Sequence, residues 1–146
     1  AVRSALLKNT VTPRYVFDRI LQSSSLQQLF GICRGREATH MGKTFAREKF
    51  RKKFETSSPE ERANFIIRNE GRCLQYLIGI HLGRPTFNIL CTHNYTSEVL
   101  ILNLLTYASP PPMLLRHLWR QPMVRRNPAL RRRTRAHTNF PSDLKR

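Results

Sequence analysis

Several things are scarce in this 146-residue chain, and each scarcity removes a class of function. There are three cysteines, Cys33, Cys73 and Cys91, widely spaced and odd in number. No CxxC pair occurs, so a disulfide scaffold is not expected and a reducing compartment fits better. No run of about 18 apolar residues exists, which excludes a helical membrane span. The longest apolar stretch, Val99 to Ala108, is short and interrupted by Asn103. There is no Gly-rich phosphate loop, no GxSxG and no carboxylate pair in an apolar setting. Acidic residues number only 9 against 26 Lys and Arg, a net charge of +17. A charge of that size points to a polyanionic partner: nucleic acid, an anionic membrane or an acidic protein.

The charge is unevenly placed. Residues 113–146 carry ten basic and one acidic side chain, a net +9, and residues 32–84 carry +6. Between them, residues 85–112 hold a single charge, Glu98. Four segments are therefore expected: an N-terminal arm (1–12), a helical module (13–83), an apolar linker with a short helix (84–112) and an Arg-rich tail (113–146). The arm, with Arg3, Lys8 and no acid, reads as the end of a mitochondrial presequence or as an anchoring arm.

Apolar spacing predicts three helices in the module. Thr12-Pro13 opens the first, with Val16, Phe17, Ile20 and Leu21 on one face. Ser23–Ser25 weaken its middle before Leu26, Leu29 and Phe30 resume the pattern. Ala46, Phe50 and Phe54 stripe the second, roughly Gly42 to Glu55. Ser58-Pro59-Glu60-Glu61 starts the third with a capping box, and its apolar face runs to about residue 81. Gly71 falls within it, either to let a neighbour or ligand approach or as a tolerated helix glycine. Thr96 or Ser97 caps a short fourth helix ending near Ala108. Pro110–Pro112 stop any helix, and Met113 to Gln121 has the pattern of one more short amphipathic turn. From Pro122 the chain has little periodicity and reads as an extended tail ordered by a partner.

Catalytic chemistry finds no support. No nucleophile–base pair can be named. Cys91-Thr92-His93 with His81 offers at most a partial metal set that a distant Cys73 would have to complete, so a non-enzymatic protein is expected. The tail is the stronger feature. Arg116, Arg120, Arg125, Arg126, Arg131, Arg132, Arg133 and Arg135 are expected to bind RNA phosphates, with Trp119, His137 and Phe140 stacking on bases. The second-helix cluster, Lys43, Arg47, Lys49, Arg51, Lys52 and Lys53, is open to three readings: a second RNA contact, a dock for an acidic helix, or a solvated face.

Residues 13–83 resemble the LYR-motif (complex 1 LYR-like) mitochondrial family. Arg47-Glu48-Lys49-Phe50-Arg51 matches the family's Arg-x-x-Phe-Arg core on its second helix, and Ser58-Pro59-Glu60-Glu61 with Gly71 matches its third. At the first element Val16-Phe17-Asp18 stands where Leu-Tyr-Arg is usual, with Arg19-Ile20-Leu21 following. From Phe45 to Arg84 the chain is most similar to members serving mitochondrial ribosomal large-subunit assembly, and next to accessory subunits of respiratory complex I.

The resemblance implies an all-α antiparallel three-helix bundle in the mitochondrial matrix, extended here by the fourth helix and the basic tail. It also implies a partner, the mitochondrial acyl carrier protein, whose acyl-4′-phosphopantetheine enters the bundle; no cofactor is bound directly. On that reading Arg19, Lys43, Arg47, Phe50, Arg51 and Lys52 meet the carrier. Phe17, Phe50, Ile67, Gly71 and Leu74 border the acyl tunnel, and plain core packing is the alternative for Phe50. The expected function is a scaffold of the mitochondrial ribosome or its assembly intermediate, contacting ribosomal RNA and mitoribosomal proteins. The alternatives are a complex I accessory subunit and a helical mitoribosomal RNA-binding protein with no carrier partner.

Overall fold

Proline starts helices in this chain more often than it stops them. Pro59, Pro85, Pro112, Pro122 and Pro128 all sit in a first helical turn, where the missing N–H is not needed and φ is already helical. A computed structural model describes residues 13–36 and 38–145. The expected arm, residues 1–12, lies outside the described residues. Those described form helices and no strand: α1 (Arg14–Gln22), α2 (Leu26–Arg34), α3 (His40–Thr56), α4 (Pro59–Arg68), α5 (Arg84–Leu90), α6 (Glu98–Tyr107), α7 (Pro112–Trp119), α8 (Pro122–Arg126) and α9 (Pro128–Ala136), with 3₁₀ turns at Arg72–Tyr76 and Ser142–Leu144. The chain divides into two compact units, Ala1–Thr56 and Ser57–Arg146. The 13–83 segment contributes to both.

In the first unit α1 and α2 pack on α3. The first expected helix is two, and the break is built rather than weak. Ser25 Oγ accepts the Gln28 N–H at 3.1 Å, and Gln28 Oε1 accepts the Ser25 N–H at 2.8 Å. This reciprocal pair satisfies two donors at the start of α2. Lys53 Nζ, reaching back from α3, donates to the Ser24 carbonyl at 2.9 Å. The core is aromatic: Phe17, Phe50 and Phe54 are fully buried, and Phe50 lies 6.1 Å from both Phe30 and Phe54, ring centre to ring centre.

The second unit departs from expectation in three places. The third helix does not run to residue 81; α4 ends at Arg68. Glu70 (φ 58°) and Gly71 (φ 75°) are both left-handed, which no α-helix tolerates. Gly71 therefore reverses the chain and is not an interior helix residue. The fourth helix is present as expected, capped by Ser97, but the segment around it is core and not linker: Leu90, Tyr95, Leu100, Ile101 and Leu104 are all buried, with α5 packed on α4 and α6 on the Arg72–Tyr76 turn. α7 (Pro112–Trp119) is the short amphipathic helix expected over Met113 to Gln121, but the extended tail from Pro122 is overturned, because residues 122–136 form α8 and α9. Asn127 Oδ1 caps α9, accepting the Ala129 and Leu130 N–H groups at 3.1 and 3.2 Å. Leu114, Leu115, Leu118, Val124, Leu130 and Thr134 bury one side of these helices, and that burial holds an Arg-dense sequence in helical form.

Candidate polyanion interface

α9 has two buried residues, Leu130 and Thr134. Their i, i+4 spacing puts both on one stripe, and Thr134 Oγ1 donates to the Leu130 carbonyl at 2.7 Å. Every arginine of this helix lies off the stripe, so Arg131, Arg132, Arg133 and Arg135 are exposed. Arg125 and Arg126 on α8 and Arg120 before it are exposed as well, and Arg116 on α7 is half-buried. All eight expected RNA-contact residues thus lie on or beside three consecutive helices of one unit.

Several of these arginines are held in place. Arg131 lies over the Trp119 ring, its guanidinium carbon 4.0 Å from the ring centre. Arg133 donates to Thr106 Oγ1 at 3.2 Å, and Arg135 to the Lys145 carbonyl at 2.7 Å. Arg116 grips Asp143 through two bonds of 2.9 Å. That bidentate pair depresses the Asp143 carboxyl pKa and raises that of Arg116. Both groups are open to solvent, so the pair fixes geometry more than it stabilises. Asp143 is the only carboxylate side chain in residues 113–146, and its charge is shared by Arg116 and Arg120.

The expected base-stacking set is not available as such. Phe140 is 4% exposed, with Trp119 packed against it at 5.0 Å. One Trp119 face carries Arg131. His137 is half-buried and its Nδ1 accepts the Asn139 N–H at 3.1 Å. Trp119, backed by Phe140, supports Arg131 from beneath, a role that spacing alone does not distinguish from stacking on bases.

A polar cluster built on Gln121 and Tyr95, neither of which the sequence singled out, lies beside this face. Gln121, 7% exposed, accepts the Tyr95 N–H on Oε1 at 2.9 Å. Its Nε2 donates to the His117 carbonyl at 3.3 Å. His117 Nε2 stands 2.7 Å from the His93 carbonyl, so that nitrogen must carry the proton and donate. Tyr95 Oη donates to the Leu90 carbonyl at 2.7 Å. Burial, then the neighbouring Cys91, pushes its phenol pKa up. Gln121 is also part of the wall of an open groove of about 630 Å³ with Asn94, Tyr95, Thr96, Met123 and Arg126. The readable signal was Pro122 opening a helix immediately after a polar residue.

The expected carrier-binding and tunnel residues fall in both units. In the first, Lys43, Arg47 and Arg51 recur every fourth residue along the unbroken α3, and so form one stripe with Lys52 at its edge. Arg47 and Lys52 are exposed, Lys43 and Arg51 half-buried, and Arg19 is exposed on α1. Phe17 and Phe50 are buried in that unit's core. In the second, Gly71 and Leu74 are buried and Ile67 half-buried. The close approach that Gly71 permits is to α6: a Cβ here would stand 2.9 Å from Asn103 Cβ.

The cysteines carry no nucleophilic signature. Burial pushes the Cys33 thiol up to about 11 and Cys73 up to about 12, and it raises Cys91 too. All three are therefore predominantly protonated near neutrality. Among the described residues no three His, Cys, Asp or Glu side chains come together to hold a metal ion, and no helix is long and apolar enough to cross a membrane. The chain matches no protein-family model, no curated protein and no solved structure.

Proposed function

We propose that this protein is a non-enzymatic RNA-binding scaffold whose second unit grips phosphate through the arginines of α7, α8 and α9. The observation that carries the reading is the exposed set Arg125, Arg126, Arg131, Arg132, Arg133 and Arg135, on helices anchored by Val124 (α8) and by Leu130 and Thr134 (α9). Like charges so close repel one another on a helix. A surface that keeps them together is suited to a polyanion that relieves the repulsion. Arginine forks meet phosphate oxygens two at a time, and each neutralised phosphate releases counterions. A ribosomal RNA in the mitochondrial matrix is the partner we favour.

A second reading concerns the first unit and adds to the first. The stripe of Lys43, Arg47 and Arg51 on α3 favours an acidic helix as partner. The family resemblance names that partner as acyl carrier protein, with its acyl-phosphopantetheine directed toward Phe17 and Phe50 of the same unit. Charge there would set orientation and on-rate more than affinity.

The test of the RNA reading uses the full chain and a mixed-sequence RNA hairpin. Arg125→Gln with Arg132→Gln is expected to weaken binding and reduce the slope of log affinity against log salt by about 0.7–0.9 per lost phosphate contact, with the melting temperature unchanged. Affinity and slope equal to wild type would refute it. The carrier reading is tested separately: Arg47→Glu with Arg51→Glu is expected to abolish copurification of the carrier, and its persistence counts against the basic dock.

A further inference from the structure

The groove beside Gln121 has the makings of a base site. Arg131 over Trp119 and the burial of Phe140 leave the arginine face equipped for phosphate but not for stacking on bases. At about 630 Å³ the groove is within the size range of small-molecule sites. Pro122 and Met123 supply an apolar wall, and Asn94 and Thr96 are exposed polar groups on its lining. Arg126, part of the arginine set, also lines it, so the cationic surface runs into the groove.

Gln121 supplies the recognition chemistry. A primary amide has two N–H donors and two lone pairs on its oxygen. One lone pair takes the Tyr95 N–H, and one N–H goes to the His117 carbonyl. The other nearby atom is His117 Nε2, at 3.2 Å. It is already protonated and donating to the His93 carbonyl, so it cannot accept. One amide N–H and one lone pair of Gln121 are left without a partner among the described residues. A buried amide held from both sides, with a donor and an acceptor uncommitted, matches the edge of a nucleobase, which pairs with Gln or Asn through two adjacent bonds. Asn127 adds a second amide: its Oδ1 caps α9, and the residue is part of the groove lining.

We propose that this groove binds a single unstacked RNA base, with the base edge on the Gln121 amide and the adjoining phosphate on Arg126. Proteins commonly read RNA through such splayed bases at loops and bulges. The inference deepens the RNA reading and rests on it for the identity of the polymer, but the site itself is testable with mononucleotides.

Binding of the four nucleoside 5′-monophosphates and of ribose 5-phosphate to the full chain is measured by protein-observed NMR, following Tyr95, Gln121 and Met123. At least one nucleotide is expected to bind tenfold or more tighter than ribose 5-phosphate. Asn94→Ala with Thr96→Val, two exposed positions, is expected to weaken it several-fold while the fold persists. Gln121→Ala, with its melting curve checked, is expected to remove the preference for a base. Equal binding of ribose 5-phosphate, or nucleotide affinity unchanged in both variants, overturns the site. A short oligoribonucleotide and its abasic counterpart separate the two readings. If both bind equally to wild type, the base site falls and the phosphate face stands. If mononucleotides bind with the expected preference but neither oligomer binds, the site stands and the RNA reading falls.

Discussion

The guanidinium of Arg131 lies 4.0 Å from the centre of the Trp119 ring, and the same ring meets Phe140 nearly edge-on at 72°. One stack thus joins α7, α9 and the chain after α9, and it fixes an arginine that would otherwise sweep freely through solvent. A cation over an indole contributes about 0.5–1 kcal/mol at an exposed site. Arg131→Ala should therefore lower stability by about that amount, with Arg131→Lys intermediate because ammonium stacks less well than a planar guanidinium. Trp119 is the only tryptophan, so its emission reports the change directly. A red shift and faster quenching by a soluble quencher are expected in Arg131→Ala. Emission identical to wild type would show that the stack does not shield the ring.

Gly71 and Gly31 should respond to alanine with opposite signs. Gly71 has φ of +75°, and an added Cβ would lie 2.9 Å from Asn103 Cβ and 3.3 Å from a Leu100 methyl. Gly71→Ala combines backbone strain with overpacking and should cost roughly 2–4 kcal/mol. Gly31 lies within α2, and a Cβ added there would have open space, with no neighbouring atom within 4 Å. Gly31→Ala should stabilise by about 0.5–1 kcal/mol. Denaturant melts of the two variants settle both. A tolerated Gly71→Ala would mean that Asn103 and α6 shift easily.

Much of the helix content was legible, and the failures have specific causes. The apolar stripes of α3 and the Ser58-Pro59 start of α4 were plain, and Ser58 Oγ does accept the Glu61 N–H at 3.2 Å. Ser25-Leu26-Gln27-Gln28 carries the same start signal as a capping box, yet the serine run around it reads as weakness. Asn127-Pro128 is likewise a cap followed by proline at the first helical position. High Arg density draws attention away from it, although Leu130 and Thr134 show the helical spacing of a buried stripe. The left-handed Glu70 is next to Gly71, whose N–H donates to the Ile66 carbonyl at 2.8 Å, and its carboxylate pairs with Arg72 at 3.4 Å, but these local contacts are not its only support. It is also held by partners distant in sequence: Asn103 Nδ2 donates to its carbonyl at 3.0 Å and Ser97 Oγ to its carboxylate at 2.6 Å. The same holds for the Gln121 cluster, whose members are 26 residues apart in the Tyr95 pairing.

Ser97 performs two tasks with one hydroxyl. Its oxygen accepts the Leu100 N–H at 3.2 Å, capping α6, while its proton goes to Glu70. Ser97→Ala removes both, and the lost cap alone typically costs about 1 kcal/mol. With the Glu70 bond the total should reach about 1.5–3 kcal/mol, since a hydrogen bond to a charged group is among the stronger ones. Ser97→Thr keeps the hydroxyl and should recover most of the loss. Equal destabilisation by both substitutions would assign the effect to packing instead.

His93 gives the stability of the second unit a pH dependence. Burial first, and the charge of His117 second, hold its pKa below the ordinary value near 6.5. The folded state thus favours the neutral ring, which packs edge-on against Tyr95 at 4.8 Å. Below the ordinary histidine pKa the unfolded chain takes up a proton that the folded chain resists. The stabilisation from neutral His93 is present above about pH 6.5 and is lost as pH falls through the lower folded value. His137, also depressed by burial, acts in the same direction and is unchanged in the comparison. His93→Phe keeps a ring against Tyr95 but cannot protonate. Between about pH 7.5 and pH 5 its melting temperature should therefore fall less than that of wild type. Parallel melting curves for the two proteins would show that the proton is taken up without disturbing the packing of Tyr95, and that the cluster behind the groove is insensitive to charge on His93.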